Sequence, residues 1–207
     1  MSKILIFDFD GTLADTLSYS VNYAYEFNRK RKLLSKEKIN FEEFRKMGLY
    51  DFVATLGIRK RDLFWFLFQI QRKMHKELKN ISTFKGLPGI LEELSSRNIK
   101  MGIATSNSKR NVLKFLEKNN LNYFDFIYST VNYLGKDKLL KKAIKKCKAN
   151  KDDVIYIGDE IRDINAARSS GVKIASVAWG YNLESVLSSN NPDYIIYQPK
   201  DLLKLLD

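Results

Sequence analysis

The sequence predicts an α/β protein: a doubly wound parallel sheet with an all-helical segment inserted after the first strand. From residue 86 onward, short apolar runs alternate with amphipathic stretches of about 10–15 residues, the pattern of βαβ units. Before this alternation, residues 16–85 carry apolar residues at helical spacing and no comparable strand. At 207 residues and 44% hydrophobic, the chain is long enough to bury such a core.

The predicted strands are the apolar runs that end at glycine, proline or polar residues. They are 3–9, 100–104, 126–129, 154–157, 173–177 and 194–196. Parallel strands need crossover connections, which are usually helices. Stretches with apolar residues at helical spacing follow at 89–97, 109–119, 136–146, 163–170 and 200–206. The order of elements is that of a Rossmann-like core.

The helical insertion, residues 16–85, is predicted to be a domain separate from a core formed by 1–15 and 86–207. The segment FKGLPG marks the return of the chain to the core, because glycine and proline interrupt helices. The insertion has 16 Lys/Arg against 7 Asp/Glu, so it holds +9 of the net charge of +12. Its basic runs are RKRK at 29–32 and RKR at 59–61.

This basic charge has three interpretations: a solvated face, a lid over an anionic substrate, or a nucleic-acid surface. Runs of like charge usually face water. We therefore do not expect nucleic acid to be a partner. Within the insertion, Arg45 and Lys46 are the candidates for contact with an anionic substrate, and the single histidine, His75, is expected at the surface.

Polar motifs follow the predicted strands at the edge where ligands bind in open parallel sheets. They are DFDGT after the first strand, TSNSK after the second, GKDK after the third and GDEIRD after the fourth. Carboxylate oxygens suit a hard cation such as Mg²⁺, which commonly also binds substrate phosphate. The combination of acids, hydroxyls, amides and a lysine therefore predicts a site for a phosphate and a divalent cation.

Asp8 and Asp10 flank Phe9 in the first motif, just before Gly11. An aspartate is a competent nucleophile toward phosphorus, and a second carboxyl group can protonate the leaving alkoxide and then activate water. Charge on the transferred phosphoryl group requires cations and N–H donors around it, which Mg²⁺, Lys136 and nearby backbone amides could supply.

These motifs resemble those of the haloacid dehalogenase superfamily, in the phosphatase branch with a small helical cap, where phosphoglycolate phosphatase belongs. The first is DFDGTLADT, the second ATSN at 104–107, the third Lys136 in LGKDK and the fourth YIGDEIRDINAA at 156–167. The segments AWGYN and PDYIIYQPKDLLKLL also resemble this branch. The resemblance covers nearly the whole chain and implies that the insertion is the cap.

The resemblance implies three groups of site residues. Asp8 would be the nucleophile, and Asp10 the general acid/base. The phosphate would bind Thr105, Ser106, Asn107 and Lys136. Mg²⁺ would be held by Asp8, the backbone carbonyl of Asp10 and Asp159, with Asp163 behind them or orienting Lys136. Asp163 could also simply cap the helix that it is predicted to precede, and Lys138 is a rival for the role of Lys136.

The resemblance implies a Mg²⁺-dependent phosphatase acting on a small anionic phosphate ester: phosphoglycolate, a sugar phosphate, a nucleotide or pyrophosphate. The second aspartate, Asp10, argues against the branches that cleave carbon–phosphorus or carbon–halogen bonds. A phosphomutase of the β-phosphoglucomutase type is the alternative, and a non-catalytic binding module is a further one. Clustered carboxylates without a metal would repel one another, which argues against the binding module.

We expect a cytoplasmic protein. Cys147 is the only cysteine, so no internal disulfide can form, which fits a reducing compartment. No signal peptide is recognised at the first residues, and no apolar run approaches the length of a transmembrane helix. The sequence does not indicate an oligomeric state.

Overall fold

The computed structural model describes residues 3–31, 41–47, 52, 55, 60–130 and 135–206. Its six strands form one sheet in the order β3-β2-β1-β4-β5-β6, and every neighbouring pair is parallel. The strands are β1 (Ile4–Phe7), β2 (Lys100–Thr105), β3 (Phe126–Ser129), β4 (Val154–Gly158), β5 (Lys173–Val177) and β6 (Tyr194–Ile196). The predicted doubly wound parallel sheet is confirmed.

Helices cover the sheet and form most of the described part of the insertion. They are α1 (Leu17–Arg31), α2 (Phe41–Lys46), α3 (Lys60–Glu77), α4 (Leu87–Ser96), α5 (Lys109–Lys118), α6 (Lys136–Lys146), α7 (Ile161–Ser170) and α8 (Glu184–Ser189), with 3₁₀ helices at Lys151–Asp153 and Pro199–Leu206. No strand of the sheet lies among the described residues of 16–85. None of the helices in the described ranges is long and apolar enough to cross a bilayer.

The sheet is buried on both faces because side chains of a strand alternate in direction. Leu5 and Phe7 of β1 pack on one side with α4 and α5, and Ile6 packs on the other side with α6 and α7. Strands β2, β1 and β4, which are neighbours in the sheet, are buried at all but their first residues in β2 and β1 and throughout β4. The carboxyl ends of these three strands are therefore held in a rigid frame.

Some predicted boundaries were wrong. The first strand ends at Phe7 rather than at residue 9, because the Phe9 carbonyl accepts hydrogen bonds from Leu13 N and Ala14 N in the following turn. Helix α8 was not predicted. The last helix is 3₁₀, in keeping with the spacing of its buried Leu202 and Leu205, since side chains three residues apart share a face in a 3₁₀ helix.

The chain leaves the core and returns to it at adjacent points. Asp15 N donates to Ser82 O at 2.9 Å, and Ala14 forms an antiparallel bridge with Thr83. Between these points the helices share a small apolar core, which Tyr181 joins from the segment after β5. Its other members are Leu17, Val21, Ala24, Phe27, Phe44, Phe52 and Phe66. Lys32 and Arg59 of the two basic runs lie outside the described residues.

Candidate active site

The predicted motifs meet at the carboxyl ends of β2, β1 and β4. Asp8 follows β1, Asp159 follows β4, and Thr105 ends β2. These strands are neighbours in the sheet, with β1 between the other two, and the strand order reverses direction here. This is the switch point at which open α/β sheets bind ligands.

A buried lysine joins two of the predicted carboxylates. Lys136 Nζ lies 2.6 Å from Asp8 Oδ2 and also forms an ion pair with Asp163 Oδ1. Burial and Arg162 lower the pKa of Lys136, but Asp163 and Asp8 outweigh them, so this pKa is raised and the ammonium is retained. Lys138 is exposed. The structure therefore brings Lys136, and not its rival, to the acids.

Asp159 is held by both of its carboxylate oxygens. Oδ1 accepts a hydrogen bond from Thr12 Oγ1 at 2.7 Å, and Oδ2 accepts one from Tyr181 N at 2.8 Å. A β-carbon added to Gly11 or Gly180 would collide with the Asp159 carboxylate. Burial, followed by the negative charges of neighbouring acids, raises the pKa of Asp159 well above its usual range.

The carboxylates of Asp8, Asp159 and Asp163 form a compact acidic group. One oxygen from each lies within 4.8 Å of the others. Asp8 Oδ1 is buried and has no hydrogen-bond partner among the described residues. Burial raises the pKa of Asp8, opposed by Lys136. An unpartnered buried carboxylate oxygen beside two further carboxylates is the donor set that a hard divalent cation prefers, so these residues fit Mg²⁺.

Asp163 differs from the other two acids. Its Oδ2 accepts hydrogen bonds from the backbone N–H groups of Asp159 and Glu160, both at 3.0 Å, while Oδ1 pairs with Lys136. It lies inside the first turn of α7 instead of preceding that helix, so the predicted helix boundary was wrong. Its bond from Glu160 N nevertheless caps α7, the alternative role that the sequence allowed. Its contacts fit the predicted role of orienting Lys136.

Asp10 is partly buried and faces Asn107. Asn107 Nδ2 donates to both carboxylate oxygens, at 3.1 Å and 2.9 Å. Burial, and then the negative charge of Asp8, raises the pKa of Asp10 to about 6, although the Asn107 bond works in the opposite direction. A carboxyl group with this pKa can both give and take a proton near neutral pH. The Asp10 carboxylate is not part of the acidic group around Asp8 and Asp159.

The second motif lies beside an arginine that the sequence reasoning missed. Thr105 Oγ1 accepts a hydrogen bond from Asn107 N at 3.0 Å, and Ser106 Oγ accepts one from Arg162 Nη1 at 3.2 Å. Arg162 is also paired with Glu160 at 2.7 Å. The available signal was its position within GDEIRD, between the two predicted site aspartates Asp159 and Asp163.

The basic candidates of the insertion have different environments. The guanidinium of Arg45 donates to the carbonyl oxygens of Tyr181 and Ala178, at 3.3 Å and 3.4 Å. Lys46 is exposed. His75, expected at the surface, is partly exposed, and its ring also lies 2.6 Å from the Asn111 side chain. Arg45 thus contacts the segment that follows β5.

Comparison with known proteins decides the family. The sequence profile named haloacid dehalogenase-like hydrolase matches residues 5–177. The chain belongs to the haloacid dehalogenase-like hydrolases. This confirms the resemblance that the motifs predicted.

Related proteins cover nearly the whole of this haloacid dehalogenase-like hydrolase. A phosphoglycolate phosphatase of Synechococcus elongatus is 30% identical over 98% of the chain and 96% of its own length. A pyrophosphatase, PpaX of Oceanobacillus iheyensis, is 26% identical over 99% and 96%. A haloacid dehalogenase-like hydrolase from Streptococcus pneumoniae, 24% identical, superposes with a TM-score of 0.81 over 100% of this chain and 99% of that one, which supports the fold.

Proposed function

We propose that this hydrolase is a Mg²⁺-dependent phosphatase that cleaves a small phosphate monoester through an aspartyl-phosphate on Asp8. One observation carries the proposal: Asp8 presents an unpartnered buried oxygen beside Lys136 and two carboxylates. Asp10, whose carboxyl pKa is raised to about 6, lies two residues away. The phosphatase relatives support the same reaction class.

The reaction divides between the two aspartates. A carboxylate oxygen of Asp8 forms a bond to phosphorus, and the bond from phosphorus to the ester oxygen breaks. Protonated Asp10 gives its proton to the departing alkoxide. The Asp10 carboxylate then takes a proton from water, which attacks the phosphorus, so that inorganic phosphate leaves and the Asp8 carboxylate is restored.

Positive charge and donors around the phosphoryl group would stabilise its oxygens. Mg²⁺, held by Asp8, Asp159 and the Asp10 carbonyl, would supply Lewis-acid neutralisation of phosphate charge when bound. Lys136 would bind a phosphate oxygen while remaining held by Asp163. The Thr105 hydroxyl and the amides of Ser106 and Asn107 would bind the other oxygens.

We infer that residues 16–85 act as a cap that surrounds the leaving group. A cavity of about 210 Å³ lies between α1 and α3, lined by Tyr19, Asn22, Tyr23, Glu26, Ile70, Lys73, Met74 and Glu77. Met74 Sδ is 3.4 Å from Asn107 Nδ2, so one wall of the cavity adjoins the proposed phosphate site. This volume suits a small leaving group such as glycolate or a sugar.

The decisive experiment is phosphate release from a panel of phosphoglycolate, sugar phosphates, nucleotides and pyrophosphate, with Mg²⁺ and with EDTA. Wild type should release phosphate only with Mg²⁺, and Asp8→Asn should abolish release. Asp15→Asn is the matched control, because Asp15 is an exposed aspartate of the same segment. Metal-independent release, or full activity of Asp8→Asn, would refute the proposal.

The panel also separates hydrolysis from the mutase alternative. A phosphomutase incubated with β-glucose 1-phosphate would return the phosphoryl group to the sugar and give glucose 6-phosphate. Product analysis by ³¹P NMR distinguishes this isomer from free phosphate. A dominant isomer signal would replace the phosphatase assignment with that of a mutase.

A further inference from the structure

A line of hydrogen bonds connects helix α3 of the insertion to the proposed general acid/base. His75 Nδ1 lies 2.6 Å from Asn111 Oδ1, and Asn111 Nδ2 donates to Asn107 Oδ1 at 3.0 Å. Asn107 Nδ2 in turn donates to Asp10. Asn107 and Asn111 are both buried, at 1% and 3% exposure. The line therefore passes from one structural unit to the other through two side-chain amides shielded from water.

One backbone donor, Ser108 N, determines the direction of every hydrogen bond in the line. Ser108 N donates to Asn107 Oδ1 at 2.8 Å, which requires the Asn107 amide nitrogen to face Asp10. Since Asn107 Oδ1 can only accept, Asn111 must present its nitrogen there, and its own Oδ1 must face His75. His75 must then carry a hydrogen on Nδ1. The whole line is consistent with one orientation of each side chain.

Two consecutive residues of α3 contact this amide pair. Met74 Sδ accepts from Asn107 Nδ2 at 3.4 Å, and His75 bonds Asn111. The last turns of α3 therefore lie directly over the start of α5. The Asn111 side-chain oxygen is nearly inaccessible to water. Removing the His75 donor would take a hydrogen bond from it, and this loss favours rotation of the amide. Rotation of Asn111 would in turn place a mismatched group against Asn107.

We propose that His75 is a positioning residue: through Asn111 it adds to the hold that Ser108 N has on the Asn107 side-chain amide, in the orientation that binds Asp10. The proposal rests on the proposed function for its catalytic consequence, but the orientation itself does not. It links placement of the helical insertion to the geometry of the acid/base. A contact between α3 and α5 then influences the chemical step without touching the substrate.

The kinetic test compares three changes at position 75. In His75→Asn, the amide nitrogen occupies the place of Nδ1, one bond from the same Cγ; in His75→Gln, it is displaced outward; in His75→Leu, no donor remains. We expect His75→Leu to lower kcat on the order of tenfold with KM little changed, and His75→Asn to recover most of it. His75→Gln should stay impaired.

Controls separate this role from a general effect on folding. Lys76→Leu alters an exposed neighbour on the same helix and should leave kcat unchanged. Equal kcat for His75→Leu and wild type would overturn the proposal. So would impairment of His75→Asn equal to that of His75→Leu at matched thermal stability, because a specific Nδ1 donor would then be irrelevant.

A second readout does not depend on activity. The side-chain amide signals of Asn107 and Asn111, assigned in ¹⁵N NMR spectra through their Asp variants, should show slow exchange of their protons with water in the wild type. His75→Leu should speed exchange at both residues, and His75→Asn should restore it. Unchanged exchange in His75→Leu would overturn the proposal. If wild type released no phosphate from the panel, this readout would still decide the orientation.

Discussion

Asp10→Asn should make the metal-free protein more stable at neutral pH while removing activity. The Asp10 carboxyl has a pKa of about 6 in the folded protein against 3.8 ordinarily. The folded state therefore binds this proton more tightly than the unfolded state, and stability is lost as pH rises between these two values. The full pKa shift corresponds to a loss of about 3 kcal/mol in the free energy of unfolding above about pH 6. Because Asp10 is partly exposed, solvent screening reduces this, and we expect about 1–2 kcal/mol.

The assay is urea unfolding in EDTA at a series of pH values. At pH of about 7.5 the free energy of unfolding of Asp10→Asn should exceed that of wild type by about 1–2 kcal/mol, which corresponds to about 2–8 °C in Tm. This difference should shrink toward pH of about 4.5. Asp15→Asn, which changes an exposed aspartate of the same segment, is the matched control. Added Mg²⁺ should narrow the difference, since a cation offsets the charge of Asp8. An Asp10→Asn protein no more stable than wild type at any pH would refute the reasoning.

Three further predictions concern the metal, the lysine and a glycine. Mg²⁺ at about 100 times its Kd should raise the free energy of unfolding by about 2.7 kcal/mol, and Asp159→Asn should lose most of this gain in thermal melts. Lys136→Met should reduce kcat by more than about 100-fold in the phosphate-release assay while exposed Lys138→Met stays near wild type; the reverse ranking would reject the site. Gly11→Ala should lower the free energy of unfolding by about 3 kcal/mol or more in urea, because φ is +77° and the new β-carbon meets Asp159. Gly86→Ala is the control: its φ is +86° but its β-carbon would meet open space, so it should cost about 1 kcal/mol. Equal losses in the two variants would argue against crowding at Gly11.

The sheet could be predicted because its signals are local. Buried parallel strands are continuous apolar runs, and all six runs that the sequence presents became strands of one sheet. Their ends were less predictable. The first strand stops early because the Phe9 carbonyl accepts bonds from a turn, and that turn depends on Gly11 at φ +77°. The apolar pattern alone does not show that the turn competes with strand pairing for the Phe9 carbonyl.

The sequence could predict which residues lie in the site, but not the hydrogen bonds and ion pairs between them. Strand-end motifs place Asp8, Lys136 and Asp159 together, since the carboxyl ends of neighbouring parallel strands meet. The contacts of Arg162 and of His75 come from residues that carry no periodic signal, and they depend on which helix lies over which. A lone histidine on a basic helix has no feature in the sequence that marks it as the partner of an asparagine far along the chain.

Tyr181 connects the helical insertion to the proposed metal site through contacts that the sequence does not indicate. Its backbone N–H holds Asp159, while its hydroxyl lies 3.0 Å from Thr16 Oγ1 and 2.7 Å from Ser20 Oγ, at the start of α1. Its ring packs in the small core of the insertion. One residue therefore joins the proposed metal site to the helices around the cavity, since Tyr181 contacts both Asp159 and the start of α1. Together with the line through His75, this gives the insertion two separate contacts to the acids: one to the proposed metal ligand and one to the proposed proton donor.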